Sequence, residues 1–340
     1  MGVQASNVLT LMDWAKRKDP DGKTSAVVEM LSQTNDILLD MLFQEGNLET
    51  GHRTTVRTGL PAVFWRLLNQ GVQPSKSSTA QIDENCGMLE AYCEVDKDLA
   101  DLNGNTSEFR LSEAMAFIEA MNQEMASTLF YGNNGVSPEQ FNGLSVRYAS
   151  LEAANGLNII SGNGSASDNA SIWLVTWGAN TIHGIFPKGS KAGILQKDHG
   201  EVTVETTAGV GGSRMQAYRE HFQWKNGIAL RDWRYTVRFC NIDTANLVAE
   251  TSPADLIKGM IKMVHRIPHL KMGTPIFYMN RTLFQMLDIQ RFEYLGGGLS
   301  GNAGGGGINY ETIDGQSVPS FRGIPIRLCD ALLVTEATIT

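Results

Sequence analysis

The chain has 340 residues, 42% of them apolar and 19% charged, with a net charge of −8 at pH 7. That length exceeds the usual reach of one hydrophobic core and points to two domains discontinuous in sequence, while no stretch approaches the roughly 18 uninterrupted apolar residues of a membrane span. A net acidic surface argues against a dedicated nucleic-acid grip, because such binding rests on phosphate neutralisation, and four cysteines without a C-x-x-C pair argue for reduced, mostly buried thiols.

Residues 1–20 read as an irregular arm whose charges follow its apolar residues, the reverse of a secretory leader, which implies a cytoplasmic product. Residues 24–43 place Val27, Met30, Leu31, Leu38, Met41 and Leu42 at helical spacing and predict an amphipathic helix. Across 46–79 the pattern changes to "HRTTVRT" alternation, a Gly59-Leu60-Pro61 break, an apolar "AVFW" and a turn region rich in Ser, Gln and Pro. An extended two-stranded excursion is expected there. Phe64, Trp65, Leu67 and Leu68 on so exposed an element should find cover on another surface. A long strand is predicted over 81–95.

Residues 105–131 then repeat apolar side chains at Leu111, Met115, Ile118, Met125 and Leu129, widened by Ala114, Phe117 and Met121, which is helical spacing. Asn105, Thr106 or Ser107 can cap this helix, and Gly132 can supply a left-handed residue to stop it. The exit "NNGVSPEQFNGL" is turn-rich, with Phe141 and Leu144 as apolar anchors.

Downstream, 151–171 reads as a loop and "IWLVTWG" as a short buried strand. Residues 201–206 and 215–242 alternate, and Asn226-Gly227 between two strand-like runs predicts a β-hairpin. Residues 253–265 return to helical spacing, with Ser252 as cap and Pro253 at the first position. "TPIFYMN" is a strand, "RTLFQMLDIQR" a helix, 296–307 a glycine-dominated loop, "VPSFRGIPIRLCDALL" a strand and "VTEATIT" a thin tail. Trp173, Trp177, Trp224 and Trp233 lie inside or beside strand-like runs and read as core before they read as stacking platforms.

No catalytic signature emerges. The glycines of "SGNGSASDNAS" and "AGVGGSR" neither follow a clear strand nor open a helix, and no Gly-Lys-Ser/Thr closes a phosphate loop. His265 and His269 are four apart, but Pro268 breaks the helix that a metal site would need. Charge is segregated instead: across 49–80 the lone acid Glu49 faces Arg53, Arg57, Arg66 and Lys76, whereas across 81–101 seven acids face Lys97.

The order of these parts, with "LFYGNNGVSPEQFNGL", "MNRTLFQML" and "FRGIPIRLCDA", resembles the major capsid proteins of tailed double-stranded DNA bacteriophages, which share the Hong Kong 97-type fold. The resemblance spans nearly the whole chain. It implies an α+β fold with an N-terminal arm and helix (1–45), an extended hairpin loop (46–80), a peripheral domain with a long spine helix (81–138 and 213–250) and an axial α/β domain (139–212 and 251–340). It also implies a structural role without catalytic residues, cofactor, metal or membrane: hexamers and pentamers of an icosahedral virion capsid around double-stranded DNA, assembled in the host cytoplasm and maturing from a procapsid. The short N-terminal arm implies a separate scaffolding protein beside a portal protein. No Lys-Asn pair is placed for covalent cross-linking, so stability falls to burial or a cement protein, and packaged DNA is contacted weakly and non-specifically.

Rings with head-to-tail interfaces need a projecting element and a receiving surface on the same chain. Arg53, Arg57 and Arg66 are therefore expected over acids of a neighbouring subunit, among them Glu90, Glu94 and Glu113, with Phe64 and Trp65 as inserted anchors. The alternatives are an encapsulin-type nanocompartment shell and, from another class, a soluble enzyme whose site gathers His183, His199 and His221.

Overall fold

The computed structural model describes Leu9 and residues 32–102, 104–205, 214–296, 308–313 and 316–340. In chain order the main elements are α1 (Ile37–Asp40), β1 (Phe43–Glu45), β2 (Gly51–Gly59), β3 (Ser78–Asn85), β4 (Gly87–Asp96), α2 (Lys97–Asp101), α3 (Thr106–Tyr131) and α4 (Leu144–Arg147). They continue with β5 (Ile159–Ser161), β6 (Asn169–Trp177), β7 (Ile182–Phe186), β8 (Ile194–Glu205), β9 (Arg214–Leu230), β10 (Thr236–Asp243), α5 (Thr244–Val248) and α6 (Leu256–Arg266). The last are β11 (Thr274–Met279), α7 (Arg281–Gly296), β12 (Ile308–Ile313), β13 (Gln316–Phe321) and β14 (Ile324–Leu328). Two compact units emerge, one containing Met88–Met125 and Gly193–Lys225, the other Thr34–Gly87, Ala126–Ala192 and Asn226–Thr340. The chain passes between them within α3 and within β9.

The larger unit is organised on β6, which is buried along its whole length and flanked by antiparallel β10 and β11. β5 extends the sheet beyond β10, and β14, β13 and β12 extend it beyond β11. A strand covered on both faces calls for a near-continuous apolar run, which "IWLV" supplies, with the small polar Ser171 and Thr176 buried on either side of it. Its even positions, Ala170, Ile172 and Leu174, join Met260 and Met263 of α6 and Leu283 and Leu287 of α7 in one apolar core. On the odd face Trp173 meets the rings of Phe130 and Tyr148, and Trp177 Nε1 donates to the Tyr278 hydroxyl at 2.7 Å.

The smaller unit pairs β8 with β9 in an antiparallel ladder from Ile194↔Trp224 to Glu205↔Arg214, and β4 also lies beside β9. Arg110 of α3 bridges Asp198 and Glu220 at 2.8 Å each, and Lys97 pairs with Glu201 at 2.8 Å. Here α3 buries Phe109, Ala114, Met121 and Met125. Leu111 and Met115, expected on the buried stripe, are exposed instead.

Several expectations are corrected. Asn226-Gly227 is not a turn: both residues lie inside the single 17-residue strand β9, with Gly227 opposite Ile185 of β7. A glycine is needed there for approach, because a Cβ would stand 2.6 Å from the Asn85 carbonyl oxygen. The hairpin partner of β9 is the upstream strand β8. Gly132 likewise ends α3 without a left-handed backbone, its Cβ position being blocked by the carbonyls of Phe141 (2.5 Å) and Thr128 (2.6 Å). Asp255, accepting from the Lys258 amide at 2.9 Å, caps α6 in place of Ser252. Only Ile37–Asp40 of the helix expected over 24–43 is helical among the described residues, and its first part, like the loop 297–307, lies outside them. The strand expected over 81–95 is interrupted at Cys86.

The single strand expected from Val318 onward is two, β13 and β14, joined by Arg322-Gly323 with φ of 54° and 75°, the paired positive angles of a tight hairpin turn. The tail is not loose. Glu336 and Arg238, 6% and 4% exposed, pair at 2.8 Å, and Tyr131 and Ser171 donate hydroxyl protons to the same carboxylate. The Leu151 amide donates to the Thr340 carbonyl oxygen at 3.1 Å. All four cysteines are unpaired, three buried and Cys86 half-buried.

Candidate functional site

β2 and β3 form a two-stranded sheet of their own, paired from Gly51↔Asn85 to Gly59↔Ser78. Threonine and valine on β2 favour extended backbone, and Pro61 removes an amide donor just where the ladder ends. Residues 60–77 carry no helix or strand. They are shaped by a turn at Asn69, where the Gln70 amide donates to the Leu67 carbonyl oxygen, and by Ser75 Oγ donating to the Ala62 carbonyl oxygen at 2.6 Å. The tip exposes Leu60, Val63, Phe64, Trp65, Leu67 and Leu68, with Trp65 as open as in an extended peptide (104%). A contiguous run of exposed large apolar side chains marks a surface that another surface covers.

Arg53 and Asp83, opposite each other on the hairpin, form a bidentate pair at 2.6 and 2.7 Å. Arg57 and Arg66 have no ion-pair partner among the described residues. Glu90 accepts from the Gln223 side chain and lies 3.3 Å from His221 Nε2, which holds its carboxyl below the usual range, the Gln223 bond contributing most. Glu94 pairs with Arg219 at 2.6 Å. Glu113 is half-buried on α3. The three expected acceptor acids thus belong to the smaller unit, where Glu94 is already paired with a cation of its own chain.

The base of the hairpin is polar and buried. Glu84 on β3 receives two 2.6 Å bonds from Arg147, whose guanidinium also donates to the Asn142 carbonyl oxygen. Arg147 lies three residues beyond the last residue of the "FNGL" exit, so the exit motif delivers the cation that clamps the hairpin. Opposite Glu84, His52 accepts at Nδ1 from the Asn47 amide (3.3 Å), which leaves the proton of the neutral ring on Nε2, 3.2 Å from an Arg231 nitrogen. Two donors therefore face each other. The fully buried His183 stands edge-on to His52 at 5.9 Å, with neither ring nitrogen bonded among the described residues. Burial, then Arg231 and His52, push His183 down to about 4; burial and Arg231 lower His52 against the opposing pull of Glu84. Periodicity gave no sign of this cluster, because its members come from β2, β3, α4, β7 and the residue that follows β9.

His199 and His221 sit on the β8–β9 ladder with rings 6.3 Å apart, His221 stacked on Tyr92, whereas His183 belongs to the hairpin base. Among the described residues no group of three His, Cys, Asp or Glu side chains could hold a metal ion. Trp173, Trp177 and Trp224 are buried, and Trp233 is 37% exposed.

A family model described as "Major capsid protein GP7" matches residues 19–340. Among solved structures, that of bacteriophage Epsilon15 is 32% identical, with a TM-score of 0.78 and full coverage of both chains. The bacteriophage JBD30 capsid has a TM-score of 0.48 at 10% identity, covering 91% of this chain and 96% of its own. The SrpI encapsulin of Synechococcus elongatus PCC 7942 has a TM-score of 0.43 at 11% identity, covering 68% and 96%. None of the curated proteins compared matched the chain.

Proposed function

The chain belongs to the GP7 family of major capsid proteins, and from that premise we propose that its β2–β3 projection is the strap by which each copy docks on the next. The protein is a structural, self-assembling subunit of an icosahedral phage shell, and its role is not enzymatic. The observation that carries the strap is a rigidly held base beneath an apolar tip left open by its own chain. Phe64 and Trp65 insert as anchors; Arg57 and Arg66, which have no ion-pair partner among the described residues, lie over acids of the neighbouring copy. Arg53 stiffens the strap through Asp83. Glu90, Glu94 and Glu113 offer the receiving surface, where an incoming guanidinium joins the existing Arg219 and His221 networks.

Repeating such a head-to-tail contact closes a ring when its rotation divides a full turn, so rings of five and six copies use the same contact at rotations of about 72° and about 60°. The unit with Met88–Met125 and Gly193–Lys225 serves as the peripheral part, and the unit built on β6 as the axial part around the ring centre. A separate scaffolding protein sets curvature during assembly in the host cytoplasm, a portal protein occupies one vertex, and a cement protein reinforces the mature shell. The R57E/R66E double variant tests the strap. The soluble chain should unfold at the wild-type temperature while negative-stain images show no closed shells; normal shells from the double variant would refute the docking role.

A further inference from the structure

Residues 256–287 contain no acid, yet they carry Lys258, Lys262, Arg266, Lys271 and Arg281 in a chain of net charge −8. Arg281 is paired with Asp330 at 3.0 Å and leaves the set. The other four are exposed, and Lys258, Lys262 and Arg266 recur every fourth residue of α6 on the face opposite its buried Ile257, Met260 and Met263. At 1.5 Å rise per residue they form a row of positive charges about 6 Å apart. Asp255 holds Lys258 at 2.8 Å, Arg266 donates to the Leu157 carbonyl oxygen, and Lys262 and Lys271 have no ion-pair partner among the described residues. A recess of about 170 Å³ opens beside Lys258 and Lys262 against Ser161, Gly162 and Asn163, with Asp255 on its wall.

We propose that the exposed face of α6 is a sequence-independent contact for the phosphate backbone of duplex DNA inside the shell. This rests on the capsid reading above. Regularly spaced, solvated Lys and Arg position a phosphate backbone without reading bases. A protein partner would need an apolar anchor at the centre of the contact, and α6 itself exposes no large apolar side chain. The overall negative charge keeps the hold loose, because the rest of the surface repels the same phosphates.

The test is anisotropy of a labelled short duplex titrated with the full chain at several salt concentrations. Three phosphate contacts predict an affinity that falls about 40-fold between about 50 and about 200 mM salt, equally for unrelated sequences. The K258Q/K262Q/R266Q variant, with an unchanged circular dichroism spectrum, should bind at least about tenfold more weakly at low salt with most of that slope gone, and the K258R/K262R/R266K variant should restore both. A glutamine variant that keeps the wild-type slope overturns the proposal. So does a polyglutamate peptide that binds where the duplex does not, which would assign the face to an acidic protein segment. Wild-type chain that never forms shells in electron micrographs would instead defeat the capsid reading, whatever the titration gives.

Discussion

The tip of the projection and the C-terminal tail reverse what their compositions suggest. Residues 60–72 are rich in large apolar side chains and lie open, whereas the tail is small and polar and is fixed to the core. The difference is partner supply. The tail brings one carboxylate to a buried site where Arg238, Tyr131 and Ser171 converge, so every polar atom of that carboxylate is used. The tip brings apolar area to a place where the described residues offer no second face. Order in a segment therefore depends on complementary chemistry within reach, and hydrophobicity without a facing surface becomes an invitation to another molecule.

The sharpest way to break this contrast is at Glu336. Glu336→Gln leaves the Arg238 guanidinium buried without its counter-charge, and thermal or urea unfolding should show a loss of about 3–5 kcal/mol. A loss within measurement error would mean that the tail is decoration. Acid should act next, through the hairpin base. His183 titrates at about 4 when folded and near 6.5 when unfolded, so the stability it contributes is complete above pH 6.5 and drains away as pH falls towards 4. The expected loss is up to about 3 kcal/mol, and His183→Asn should flatten that limb of the stability–pH curve. The smallest effect belongs to the tip: Trp65→Ala should move the unfolding of the soluble chain by less than about 0.5 kcal/mol while suppressing shell formation. A large destabilisation of the soluble chain would show that Trp65 packs at home.

Sequence reasoning reached what local pattern encodes. The period of α3, the alternation of β2, the apolar run of β6 and the segregation of charge around the projection all announce themselves within a dozen residues. Long-range approach is silent. Gly227 copies the dipeptide signature of a turn because the Asn85 backbone presses on it, a contact that no window around 227 contains. The Glu84–Arg147 clamp joins residues 63 apart in sequence and the Arg238–Glu336 pair joins residues 98 apart, so neither has a spacing to recognise. Leu111 and Met115 obey the helical period yet face outward, since periodicity places a stripe on a helix without saying how wide a neighbour covers it.

Burial pushes the thiols of Cys86 and Cys240 up to about 11 and those of Cys93 and Cys329 up to about 12. At pH 7 the reactive anion is then rarer than about one in ten thousand, so alkylating dyes and peroxide find almost nothing to attack. One new sulfhydryl placed at Trp65 would be the fast-labelling position on an otherwise inert background. A fluorophore there would light up or dim as copies click together, turning the chain into its own clock for how quickly a container is built.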